Sequence, residues 1–143
     1  MDLLERARAL AACPVFGDLA PAVLIRLAER ATASELVAGE RCSTTDMVWV
    51  VASGALAVAA HTESISAATV SSIKRRGGTA TPGHVLGLVR VVAAMTKPVE
   101  VIAERPSVVV GLSVDDVRDV LEEDPTALVA LADALARILL GDP

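Results

Sequence analysis

The apolar positions of this chain change period twice. At the N-terminus they recur every three to four residues. Leu3, Leu4, Ala7, Leu10 and Ala11 share one helical face, and Asp2 stands at the N-cap position. This predicts a helix over Leu3–Ala11, ended before Pro14. Pro21 suits the first turn of a second helix, whose buried stripe is Val23, Leu24, Leu27, Ala28 and Ala31. The pattern then breaks into short β-type runs between turn residues: Ser34–Val37, Met47–Ala52, Ala55–Ala60, Ala67–Ile73, Val99–Ala103 and Ser107–Leu112. Arg41–Asp46 reads as a short loop, and Ser71–Thr81, polar and Gly-rich, as a hairpin tip or mobile loop. The helical period returns at Ser113, with Asp116 in the N3 place of a capping box and a helix to about Glu122. Asp124-Pro125 starts a last helix that runs to Leu140 and stops at Gly141, with a stripe of Leu128, Leu131, Ala132, Leu135, Ile138 and Leu139.

Strands at this spacing, flanked by helices, predict a mainly β, α+β fold of the sandwich or jelly-roll kind. The 143 residues suffice for one core. The expected layout is one domain over 1–143, with helices in 1–31, strands in 32–112 and helices in 113–140. A hydrophobic content of 53% excludes a disordered chain. Only Phe16 and Trp49 are aromatic, so the core is built from Val, Ala and Leu. A net charge of -5 disfavours nucleic acid as partner. Mean hydropathy of +0.56 raises the question of a membrane. Met47–Ala60, the longest apolar stretch without a charge, is too short to span one and is interrupted by Gly54. The N-terminus has no apolar signal core, so a soluble, cytoplasmic protein without membrane insertion is expected. Cys13 and Cys42 lack metal-type spacing and read as buried free thiols. His61 and His84 form no metal pair, and Asp115, Asp116, Glu122, Glu123 and Asp124 read as helix caps and solvated surface. With no nucleophile, Walker or dinucleotide motif, no enzyme, metal or resident cofactor is expected.

One stretch organises the rest, Pro82–Ala103. It reads as a Pro82-Gly83 turn, a short apolar helix near Leu88–Ala94, a loop, and a strand opened by Lys97-Pro98. A Gly before a helix start aims unpaired backbone N–H groups at one point, which suits an anion. Four further pieces accompany it. Pro14-Val15-Phe16-Gly17-Asp18-Leu19 is similar to P-L-F-x-x-L, and Leu36-Val37-Ala38-Gly39-Glu40 to L-x-A-G-E. Trp49–Val58 is similar to Y-x-V-x-S-G-x-x-x-V, and Leu112–Pro125 to L-S-x-x-D-F-x-x-L-L-x-x-x-P, with Val117 in the Phe slot. In this order, from Pro14 to Leu140, they resemble the cyclic nucleotide-binding domain family, the sensor module of catabolite activator protein-like regulators.

The resemblance implies a β-roll of about eight strands, N-terminal helices, two C-terminal helices, and a phosphate-binding cassette at Pro82–Ala103. In the family the cassette reads F-G-E-x-A, a loop, then P-R-x-A. Leu86-Gly87-Leu88 falls in the first place and Pro98-Val99-Glu100-Val101 in the second. The candidate ligand residues are therefore Gly87, Leu88, Val89, Arg90, Pro98, Val99 and Glu100. Leu88 replaces the Glu that holds a ribose hydroxyl, and Val99 replaces the Arg that clamps the phosphate. Strand alternation turns Glu100 away from the pocket. A charge-assisted hydrogen bond is worth roughly 1.5–3 kcal/mol, so losing a two-bond clamp costs about 3–6 kcal/mol. Arg90 or Lys97 would be the substitute cations. The implied function is a regulatory sensor module with weak or lost binding of cAMP and cGMP. A ligand-free module for protein–protein interaction remains open beside it. The partners so implied are a second copy through the last helix and an effector protein or fused domain.

Overall fold

In a computed structural model, residues 1–65, 74–88, 91 and 98–140 are described. Two helices come first, α1 (Leu3–Ala11) and α2 (Pro21–Arg30). Eight strands follow: β1 (Thr32–Leu36), β2 (Arg41–Thr44), β3 (Met47–Ser53), β4 (Leu56–Ile65), β5 (Lys74–Ala80), β6 (Val85–Leu86), β7 (Val99–Ala103) and β8 (Ser107–Ser113). Helices α3 (Val114–Glu123) and α4 (Pro125–Leu140) complete the order. All strand pairs are antiparallel. The path runs β1-β8-β3-β6-β4-β7-β2, with β5 on the other edge of β4. Strand β4 is long enough to pair with β7 through Leu56–Val58 and with β6 through Ser64–Ile65. It thus carries the sheet round into the expected roll.

Local chemistry explains the helix ends. The Asp2 carboxylate accepts from the Glu5 N–H at 2.8 Å, and Glu5 reaches back to the Asp2 N–H. Ser113 Oγ accepts from the Asp116 N–H at 2.9 Å, and Asp124 Oδ1 from the Thr126 N–H at 3.0 Å. Pro21 opens α2 without a side-chain cap.

There are two cores, one on each face of β3 and β8. Val48, Val50, Val110 and Leu112 face the helices and pack with Phe16, Leu10, Leu27, Val117 and Leu131. Val51 and Val109 face the inside of the roll and pack with Leu56, Leu86, Val99 and Val101. Arg6 Nε donates to the Ala28 carbonyl at 2.9 Å and ties α1 to α2. On the outside, Arg26 pairs with Glu123, and Arg30 lies within 3.6–3.9 Å of Asp116, Asp119 and Glu123, joining α2 to α3.

Four expectations change. Arg41–Thr44 is not loop but the strand β2, paired with β7 from Arg41↔Ile102 to Thr44↔Val99. Lys74–Ala80, read as a loop, is strand β5, paired to β4. In both cases ladder pairing outweighs a polar composition that disfavours strands. On α1, Leu4 and Ala11 are exposed, because α2 meets only the Ala7–Leu10 side. On α4 the buried residues are Ala127, Leu131 and Ala134, while Leu128 and Ala132 are exposed. The small Ala127 and Ala134 let α4 approach the body closely beside Leu131, Leu135 packs partly against the same core, and Leu128 turns outward. The strand candidate Ala67–Ile73 has residues 67–73 outside the described set.

Candidate functional site

The cassette begins with a turn pinned to β3. Gly83 has φ +93° and its N–H donates to the Val51 carbonyl at 3.0 Å; the Val51 N–H donates to the His84 carbonyl at 3.0 Å. Val85 and Leu86 then pair with Val50 and Trp49, which fixes where the chain arrives at Gly87. Gly87 has φ +81°, the left-handed region where a side chain is strained. A Cβ there would also lie 3.0 Å from the Met47 carbonyl oxygen and 3.0 Å from Val99 Cγ2. The chain turns at Gly87 because only Gly fits between β3 and β7.

After Gly87, Leu88 is buried in the helix-facing core, and its carbonyl accepts from the Val91 N–H at 3.0 Å. Arg118 Nε of α3 donates to the Val91 carbonyl at 3.0 Å, so the cassette is tied to the C-terminal helices. Val89, Arg90 and Lys97 lie outside the described residues. Past them, Pro98 is half-buried and leads into β7, whose residues alternate in burial. Val99, Val101 and Ala103 point into the roll, and Val99 is 3% exposed. Glu100 and Ile102 point outward.

The candidate residues therefore separate. Gly87 and Val99 are in contact distance, but Leu88 packs with the helices and Val99 with the roll interior. Glu100 sits on the opposite face of its strand. There it joins a cavity of about 380 Å³ lined by Arg41, Ser43, Ala57, Ala59 and Ile102, among others. This cavity is not visible in the sequence reading, because Arg41–Asp46 was expected to be loop. The alternation of polar Arg41 and Ser43 with Cys42 was the signal available.

The roll interior next to the cassette is hydrocarbon: Leu36, Val51, Leu56, Val58, Ala80, Leu86, Val99, Val101, Ala103 and Val109 form one cluster. Among the described residues the one buried polar side chain is Ser107, whose Oγ accepts from the Ala55 N–H at 3.1 Å and donates to the Arg105 carbonyl at 2.8 Å. Both cysteines are free. Burial pushes the Cys13 thiol up to about 12. The half-buried Cys42 thiol is raised by desolvation first and by the Glu40 carboxylate second. Among the described residues no group of three His, Cys, Asp or Glu side chains is placed to hold a metal. Nor is any described helix long and apolar enough to cross a membrane.

This architecture, a β-roll between N-terminal helices and two C-terminal helices with a Gly-turn cassette between β6 and β7, is the cyclic nucleotide-binding-like fold. No protein-family model matches the chain, and no curated protein matches its sequence. Solved structures do. The N-terminal domain of a transcriptional regulator from Streptomyces coelicolor superposes with a TM-score of 0.67 at 19% identity, covering 96% of this chain and 90% of that one. A cyclic nucleotide-binding-like protein from Brucella abortus gives 0.58 at 22% identity, covering 82% and 98%. The regulatory subunit of a cAMP-independent protein kinase A from Trypanosoma brucei gives 0.63 at 15% identity, covering 94% of this chain and 47% of that one. At these identities the likeness is one of fold.

Proposed function

We propose that this chain is a regulatory module of the cyclic nucleotide-binding type, in which the grip on a cyclic phosphate is weak or lost. The observation that carries the reading is Val99, a buried hydrocarbon side chain packed against Gly87 at the start of β7. A cyclic phosphate placed there meets methyl groups where its charge needs compensation. Glu100, one residue on, faces away and supplies nothing to the interior. That a kinase regulatory subunit of the same fold is described as cAMP-independent supports the reading by precedent.

With Pro98 in the Pro place of the motif P-R-x-A, Val99 takes the Arg place and Val101 the Ala place, and both face the roll interior. Lys97, the residue before Pro98, is the cation nearest to that place in sequence. Lys is a compact, strongly hydrated point charge and lacks the two-pronged fork of Arg. Weak binding, not tight binding, follows.

A thermal-shift titration tests this. A ligand at 100 times its Kd adds about 2.7 kcal/mol, roughly 10 °C for a chain of this size. We expect 1 mM cAMP or cGMP to add no more than about 0.4 kcal/mol, the value for a Kd of about 1 mM. Lys97→Arg should tighten cAMP at least tenfold, and Lys97→Ala should abolish any residual shift. A shift of roughly 10 °C at tens of micromolar ligand would overturn the reading.

A second reading, a module for protein–protein contact, is favoured by α4. Leu128 is 46% and Val129 67% exposed on the last helix. The partner this proposes is a second copy of the chain, pairing α4 with α4 about a two-fold axis.

A further inference from the structure

The turn that leads into the cassette puts one titratable nitrogen among partners that conflict. His84 Nδ1 lies within hydrogen-bond reach of three polar atoms of a single residue, Thr81. The Thr81 N–H donates to it at 3.2 Å, Thr81 Oγ1 stands at 3.3 Å and the Thr81 carbonyl oxygen at 2.9 Å. The N–H only donates, the carbonyl only accepts, and the hydroxyl does either. One ring nitrogen therefore cannot bond to the N–H and to the carbonyl at once. As a bare lone pair it takes the N–H; as a protonated nitrogen it takes the carbonyl.

The main chain holds the ring in this place. The His84 N–H donates to the Thr81 carbonyl at 3.0 Å, and the His84 carbonyl accepts from the Val51 N–H at 3.0 Å. The ring is half-buried, so a proton from solvent reaches it. Thr81 follows Ala80, the last residue of β5, which pairs with Leu56 on β4. The ring thus joins the end of β5 to the turn that starts the cassette. Few other charges bear on it. Strands β3 and β6, on which the turn rests, carry no titratable residue. From α1, whose end comes near Gly83, Arg8 is exposed to solvent, and Cys13, just past the helix, is a buried thiol held neutral. On β5, Lys74, Arg75 and Arg76 stand at the far end of the strand from Ala80. Among the described residues no charged side chain bonds to His84 or Thr81.

We propose that His84 is a proton-operated joint between β5 and the cassette. The neutral ring carries its proton on Nε2. Nδ1 then accepts from two donors, the Thr81 N–H and hydroxyl, whereas the Thr81 carbonyl already accepts from the His84 N–H. The imidazolium carries a proton on both nitrogens. Its Nδ1–H donates to the Thr81 carbonyl, the hydroxyl turns to accept, and the Thr81 N–H loses its partner. Acid thereby releases the end of β5 from the cassette turn, while the main-chain bonds to Val51 stay. The inference does not rest on whether the cassette holds a nucleotide.

An NMR titration of the isotope-labelled whole chain from about pH 8 to about pH 5 tests it, since an imidazole takes up its proton in that range. We expect ring-nitrogen shifts of the Nε2–H form at the alkaline end. The Thr81 amide proton should move upfield along the same curve as the His84 ring. Its exchange with solvent, corrected for the intrinsic rate, should be about two- to tenfold faster at the acid end, the size of one lost hydrogen bond. In His84→Asn, which does not titrate, the Thr81 amide should be indifferent to pH; in His61→Asn it should titrate as in the wild type. A Thr81 amide that does not follow the ring overturns the proposal. So does a neutral ring with its proton on Nδ1, a Thr81 titration that survives in His84→Asn, or one that is lost in His61→Asn. Should His84→Asn fail to fold, the ring tautomer and the joint titration in the wild type decide alone.

Discussion

Gly87 is where a single residue has most influence. Its φ of +81° is open to Gly at little cost, and a methyl group there would press on a backbone carbonyl of β3 and a methyl of Val99. The backbone carbonyl cannot yield as a flexible side chain would. Gly87→Ala should therefore cost about 1–3 kcal/mol, combining backbone strain with the close contact. Urea unfolding measures it, and a loss below about 0.5 kcal/mol would show that the turn relaxes freely. The sequence placed the cassette's turn at Pro82-Gly83 and Gly87 in the family's F-G-E position; the second left-handed turn at Gly87 is a finding of the structure. The closeness of Val99 to it was not legible in the sequence, because eleven residues of chain lie between them. Glu100 is the opposite case: strand alternation alone assigns it to the outer face, and the structure places it there.

At the scale of elements, α4 combines two demands. Ala127, Leu131 and Ala134 seat it against the body, Ala130 and Leu135 pack partly against the same core, and Leu128 and Val129 are left toward solvent. Over its 16 residues Asp133 and Arg137 are the charged ones, and they pair with each other at i,i+4. The exposed edge at Leu128 and Val129 is then an uncharged surface that a second copy would cover. Light scattering should give twice the chain mass of 14.7 kDa for the wild type and a single chain for Leu128→Glu. A wild type that stays at one chain mass at high concentration removes the self-pairing. Sequence periodicity predicted the span of α4 to Leu140 and the inward turn of Leu131 and Leu135, but it also put Leu128 and Ala132 in the core, where the structure exposes them. A helix that is apolar on most sides has little polar face to orient it, so its rotation is fixed by what it packs against. Strands β2 and β5 were missed for a related reason: their residues carry weak strand preference, and their neighbours impose the ladder.

Across the whole molecule, the thiol of Cys13 reports on the integrity of the fold. It lies in the helix-facing core with no exposure, and its protonation is held up to about 12 against an ordinary value of 9.0. The folded-state value is raised, so the neutral thiol is the form the native state favours. That stability is fully present below pH 9, declines as the unfolded thiol ionises above it, and is gone at about pH 12. At pH 10.5 the loss is about 2 kcal/mol. Urea unfolding at pH 8 and pH 10.5 should show this excess loss in the wild type and not in Cys13→Ala. Equal losses in both would mean that the thiol is reached by solvent in the native state.

The amino-acid sequence by itself determined the spans and caps of the two first and two last helices, the outward turn of Glu100, and the fold class, a β-roll between helices. These follow from contacts within a few residues, which propensity, capping and alternation describe. The tertiary structure alone decided that β2 and β5 are strands, which edge of α4 is buried, and that Leu88 and Val99 face two different cores. It alone placed Arg41, Ala57 and Glu100 around one cavity. Those outcomes depend on packing and pairing between segments far apart in the chain, and a local pattern carries no information about which distant surface will meet it.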